Sequence, residues 1–173
     1  DDAFMTYFCG SNTVLQTCTT SILEAMKDAF ETGSLIQIPT IEFDTLERQI
    51  ECLNVQKDLF HSKQLKSFCR IVKIARILSE RYAAVITNPP YLNKYDATLK
   101  SFLQENYKDY SGDLFSVFIY RCMLFCKSGG YAGLMTPNVW MFIKSYAKLR
   151  RYILTNHSIT TLVQMAKGAF FNE

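Results

Sequence analysis

Asn88-Pro89-Pro90-Tyr91 has a composition that folding alone does not require. It follows Ala83-Ala84-Val85-Ile86-Thr87, a short apolar run with β-branched residues that reads as a buried strand. Neither proline has an N–H to donate, so the ladder ends there and a rigid loop begins. Pro90 holds Pro89 extended, which leaves the Pro89 carbonyl free to accept a hydrogen bond. The side-chain oxygen of Asn88 is a second acceptor beside it. Two acceptors aimed at an exocyclic NH2 orient it and draw its lone pair out of conjugation, which suits methyl transfer to a planar, weakly nucleophilic nitrogen. Tyr91 adds a flat face of the kind on which a base turned out of its duplex stacks. Ligands of open α/β sheets bind at strand carboxyl ends, where this loop falls.

The elements around the loop follow from periodicity. Upstream, Ile22, Leu23, Met26 and Phe30 predict one face of a helix starting near Thr20 and stopped by Gly33, and Ser34 to Ile38 reads as a short strand. Asp44 and Glu47 have capping-box spacing before a helix that turns Leu46, Ile50 and Leu53 inward. A third helix spans about Ser62 to Arg81, with Leu65, Phe68, Val72, Ala75 and Leu78 inward. Lys63, Lys66, Arg70, Lys73 and Arg76 form a basic stripe opposite. That stripe is either a solvated face or a track for phosphates. Residues 1 to 18 have no clean period.

Downstream, Asp96 caps a helix holding Leu99, Phe102 and Leu103, and Gly112-Asp113 opens a second, apolar nearly all round from Leu114 to Phe125. Gly129-Gly130 ends it, Tyr131 to Thr136 reads as a strand broken by Pro137, Ser145 starts a helix through Leu154, and Thr160 to Met165 reads as a further strand. This alternation predicts a parallel α/β sheet. The expected organisation is a mainly helical segment over 1–80 and a sheet-bearing part over 81–173.

Six carboxylates stand against the single Lys27 in residues 1–43, so the net charge of +3 rests on a basic remainder, the sign expected for a polyanion partner. The six cysteines include no C-x-x-C pair, and His61 and His157 are isolated, which predicts reduced core thiols and no metal. No run is both long and apolar enough for a membrane span, and Asp1-Asp2 is the reverse of a basic signal start, so the expected location is the cytoplasm, with no membrane partner.

The motif resembles the N-P-P-Y signature of S-adenosylmethionine-dependent amino-methyltransferases, above all DNA adenine-N6 enzymes of restriction and phage-defence systems. Leu92-Asn93-Lys94-Tyr95, Ser111-Gly112-Asp113-Leu114-Phe115, Gly129-Gly130-Tyr131, Thr136-Pro137-Asn138-Val139-Trp140-Met141-Phe142 and Leu149-Arg150 extend the likeness to the large adenine methyltransferases of bacteriophage exclusion. The likeness runs from about Ser79 to the end and is weaker upstream.

The resemblance implies an α/β fold: part of a Rossmann-like methyltransferase sheet, its second half, behind a helical N-terminal segment. It implies S-adenosylmethionine as cofactor and DNA as partner, with further subunits of a defence or restriction system. Asn88, Pro89, Pro90 and Tyr91 are then catalytic. Tyr91, Phe170 and Trp140 stack on or line the pocket of the base, Asn88 and Asp113 face the cofactor, and Lys94, Lys66, Arg70 and Lys73 meet the DNA backbone. Asp113 is equally a good helix N-cap, and a core position is the commoner fate of a tryptophan such as Trp140. Cys9-Gly10-Ser11 is similar to a cofactor-binding glycine turn, but Asn12 stands where a second glycine belongs. With that turn and the acidic ribose ligand unrecognised, the expectation is a fragment holding the amine-activating half of the site, inactive in isolation. Two further readings stand beside DNA adenine methylation: an N-P-P-Y enzyme acting on protein glutamine or RNA, and a non-catalytic subdomain.

Overall fold

A computed structural model describes residues 2–56, 58 and 60–165. The chain divides into two compact units, with the boundary between Arg81 and Tyr82.

The described part of the first unit is helical: α1 (Asp2–Cys9), α2 (Thr13–Ala25), a single turn α3 (Ala29–Thr32), α4 (Phe43–Gln56) and α5 (Ser62–Ser79). Leu46, Ile50 and Leu53 of α4 meet Leu65, Phe68, Val72 and Ala75 of α5 in one core, as their spacing predicts. The apparently aperiodic start is also helical, because Phe4 and Phe8 sit one turn apart and both enter that core. The Phe8 ring meets Phe68 edge-on at 4.9 Å between centroids. Gly10, at φ +51°, turns the chain, and Oδ1 of Asn12 caps α2 by accepting from the N–H groups of Val14 (3.0 Å) and Leu15 (3.1 Å).

Several expectations change here. The helix expected from Thr20 begins at Thr13 and ends at Ala25. The break after it rotates Phe30 out of the predicted inward face, leaving it 98% exposed. Ser34 to Ile38 is not a strand. Gly33–Leu35 form a 3-10 turn, and Leu35 and Ile36 are buried in succession rather than alternately, with no strand beside them among the described residues of this unit. The Asp44 and Glu47 carboxylates do not cap α4. Both reach across to the guanidinium of Arg76, which also lies 3.7 Å from Glu80. These bonds, the one to Glu47 foremost, raise the Arg76 pKa above its ordinary value. Arg76 thereby leaves the basic stripe.

The second unit runs β1 (Tyr82–Thr87), α6 (Ala97–Asn106), α7 (Leu114–Phe125), β2 (Cys126–Leu134) and α8 (Ala147–Asn156). β1 and β2 pair in parallel, from Ala84 against Tyr131 to Thr87 against Leu134, with α7 against both strands. The fold is thus mixed α/β with a small parallel sheet flanked by helices. Phe115, Ile119, Leu149 and Ile153 form a core between α7 and α8.

β1 ends at Thr87, immediately before the two prolines. It is not the fully buried strand expected: Val85 and Thr87 are half-buried but Ile86 between them is 84% exposed, so one face is open. The helix before β2 stops at Phe125 rather than at the glycines, and Gly129-Gly130 lie inside β2, where the register shifts. Gly129 has φ +74°, and a Cβ on Gly130 would meet the carbonyl oxygens of Tyr82, Ala83 and Lys127 at 3.0 Å. This is a bulge that only glycine fits. Thr160 to Met165 forms no strand. Leu162 and Val163 are exposed, and β1 and β2 are the only paired strands among the described residues.

Cys9, Cys18 and Cys122 are buried, but Cys52 is exposed, which departs from the expectation of core thiols throughout. No described helix is long and apolar enough to cross a membrane.

Candidate functional site

Because β1 and β2 run parallel, their carboxyl ends share one edge, and the segments after them, Asn88–Tyr91 and Met135, meet there. The N–H of Met135 donates to the Thr87 carbonyl at 3.2 Å, carrying the pairing one step past the strands. Pro89 is buried and anchors the loop, while Asn88 and Pro90 are exposed. Tyr91 is 50% exposed. Its ring stands nearly perpendicular to that of the buried Phe115, at 6.4 Å between centroids. Its hydroxyl lies 3.2 Å from Oδ1 of Asn88 and 3.1 Å from the Met135 carbonyl.

Asp113 closes the loop from the far side. Its Oδ1 accepts from Phe115 N–H (3.3 Å), and Ser116 Oγ accepts from Asp113 N–H (3.4 Å), making a capping box on α7. The same Oδ1 accepts from Leu92 N–H at 3.2 Å, while the Leu92 carbonyl accepts from Leu114 N–H at 2.8 Å.

Tyr95 lies close by, its hydroxyl buried with no hydrogen-bond partner. Burial, helped by the Asp113 carboxylate and Tyr146, pushes its pKa up to about 12. Tyr95 also lines, with Asn93, Lys94, Lys100, Gln104 and Ser111, a cleft of about 390 Å³.

Of the other predicted residues, Trp140 is half-buried against the Phe115 core on which Tyr91 also rests, and its carbonyl accepts from Arg150 at 2.7 Å. Lys66, Arg70 and Lys73 are exposed along α5, in the first unit, while Lys94 belongs to the second. Phe170 lies outside the described residues. Sequence reasoning missed Leu92 and Met135, which act through backbone groups that no residue type announces. It also missed the buried hydroxyl of Tyr95, four residues past Tyr91.

A family model described as Eco57I restriction-modification methylase matches residues 11–171. The chain belongs to this family. An adenine-specific methyltransferase BrxX from Escherichia coli O9:H4 (strain HS) is 31% identical over 143 residues, covering 80% of this chain. An adenine-specific methyltransferase PglX from Lacticaseibacillus casei (strain Zhang) is 28% identical over 151 residues, covering 81%. The chain spans 12% of the length of each of these relatives. Membership in the Eco57I family relates this chain to methyltransferases, among them the two adenine-specific ones above.

Methyltransferases of this kind imply S-adenosylmethionine, whose cradle needs a glycine turn between a strand and a helix N-terminus. Among the described residues the glycines at positive φ are Gly10, Gly33 and Gly129, and none has that setting. Gly10 joins two helices and Gly129 sits within a strand. Oδ1 of Asp113 is held by backbone donors of its own chain. The described residues of this Eco57I-family chain therefore do not by themselves fit the cofactor.

Proposed function

We propose that this chain carries the amine-activating part of a site-specific DNA adenine-N6 methyltransferase of a restriction-modification or phage-defence system. The observation that carries the reading is the Asn88–Tyr91 loop, held at the shared carboxyl edge of the parallel strands with a half-exposed tyrosine ring. Asn88 Oδ1 and the Pro89 carbonyl accept from the adenine amine, which localises its lone pair for attack. The face of Tyr91 stacks on the flipped base. The methyl group would come from S-adenosylmethionine, the donor that the family implies. Adenine, among planar amines, is favoured by the relatives, both named as adenine-specific methyltransferases. Lys94, three residues past Tyr91, is a cation suited to phosphates of the bound DNA; in the first unit, taken by itself, the exposed Lys66, Arg70 and Lys73 of α5 form a candidate phosphate track.

The resting hydrogen bond of Tyr91 to Asn88 fits this scheme. When the base arrives, its amine takes the Oδ1 acceptor and the phenol keeps the Met135 carbonyl. The test is to map N6-methyladenine across the genome by single-molecule sequencing, in cells carrying the intact gene and in cells carrying Asn88→Ala. Loss of the mark at one recurrent sequence is expected. A mark that persists unchanged, or none with either allele, sinks the DNA reading.

A further inference from the structure

Pro89 and Pro90 offer no N–H, so the Asn88–Tyr91 loop has few backbone donors of its own with which to hold its shape. The structure supplies the hold from outside. Both backbone groups of Leu92, the residue that follows Tyr91, are tied to the start of α7: its N–H donates to Asp113 Oδ1 at 3.2 Å, and its carbonyl accepts from Leu114 N–H at 2.8 Å. We propose that Asp113 is a positioning residue that clamps the Asn88–Tyr91 loop to α7, fixing the amine acceptors and the stacking ring without touching base or cofactor.

The inference rests on the proposed roles of Asn88 and Tyr91. Two features favour a clamp over an ordinary helix cap. A cap needs bonds only to its own helix, and Asp113 has that bond to Phe115 N–H in addition to the one across to Leu92. The Tyr91 ring also rests on Phe115, two residues further along α7, so backbone and side chain of the loop are referred to one rigid element. That element is firmly seated, since Leu114, Phe115, Ser116 and Val117 are all buried.

Capping and clamping separate by side-chain reach. Serine caps a helix about as well as aspartate but is too short to span to Leu92 as well, whereas asparagine keeps the Oδ1 acceptor and does both. The experiment uses the full-length protein and measures kcat, KM for S-adenosylmethionine and thermal stability for Asn88→Ala, Asp113→Ser, Asp113→Asn and Asp96→Ala. Asp96 caps α6 by accepting from Leu99 N–H at 2.7 Å and serves as the pure-cap control.

The expected pattern is a kcat at least about tenfold lower in Asp113→Ser with unchanged KM, because small misplacements of reacting groups cost that much or more. Asp113→Asn stays within about threefold of wild type, as retention of the same acceptor implies. Asp96→Ala loses stability but not kcat. An Asp113→Ser enzyme with wild-type kcat overturns the clamp. A raised KM for S-adenosylmethionine in both Asp113 variants, with kcat kept, also overturns it and makes Asp113 a cofactor ligand. Full activity in Asn88→Ala removes the proposed site itself, an outcome distinct from a clamp that fails at a working site.

Discussion

The phenol of Tyr91 bridges the ends of both strands, 3.2 Å from Asn88 Oδ1 after β1 and 3.1 Å from the Met135 carbonyl after β2. One proton serves two acceptors. The hydroxyl therefore acts as a strut whose loss leaves the ring's stacking face intact. Tyr91→Phe is expected to lower kcat by about fivefold, the value of one hydrogen bond of roughly 1 kcal/mol. Tyr91→Ala also removes the stack and is expected to cost about tenfold to a hundredfold. Methylation of an oligonucleotide by the full-length enzyme checks both. Equal losses in the two variants would mean that the hydroxyl, not the face, carries the role.

The bulge in β2 gives a test of the scaffold. Gly130→Ala places a methyl group against three backbone oxygens at 3.0 Å, none of which can rotate away. A loss of roughly 1–3 kcal/mol in chemical denaturation is expected from such overpacking. Gly133→Ala, whose Cβ meets only the Ile86 side chain at 3.7 Å, is expected to be nearly neutral. If the two variants are equally stable, the strand pairing near Tyr82 differs from that described.

Tyr95 sets an alkaline limit. Its hydroxyl, ordinarily ionising at 10.0, is pushed up to about 12 by burial, with Asp113 and Tyr146 adding to the effect. A raised pKa favours the neutral phenol in the folded state. The resulting stability is complete below about 10 and is lost as pH rises through about 12. Thermal unfolding across that window is expected to decline less steeply in Tyr95→Phe than in wild type. At neutral pH the same variant is expected to gain about 1 kcal/mol, because the buried hydroxyl has no partner. A neutral-pH loss would show that the hydroxyl is hydrogen-bonded in solution.

In the first unit, Phe8 is wholly buried between the rings of Phe4 and Phe68. Phe8→Ala is expected to cost roughly 3–5 kcal/mol, the range for a buried phenylalanine. Circular dichroism during urea unfolding checks it, with Phe30→Ala as the comparison. Phe30 is 98% exposed, and its substitution is expected to change little.

The sequence by itself determined whatever depends on neighbours along the chain. Two prolines end β1 because each lacks a donor, Asp96 and Asp113 start α6 and α7 because their carboxylates reach N–H groups of the first turn, and α5 buries Leu65, Phe68, Val72 and Ala75 because they recur at helical spacing. The motif residues Asn88 to Tyr91 were legible for the same reason, as residue types whose chemistry is local. Tertiary structure decided what depends on residues brought together from afar. Arg76 meets Asp44 and Glu47 instead of joining the basic stripe, since a helix face records its own charges but not those packed across from it. Gly129-Gly130 belong to a strand rather than a helix end, because the β1 carbonyls that demand glycine are more than forty residues away. The bonds that hold the loop, from Leu92 to Asp113 and from Tyr91 to Met135, join backbone to side chain across 21 and 44 residues. Backbone groups are the same at every position, so only folding selects which of them meet.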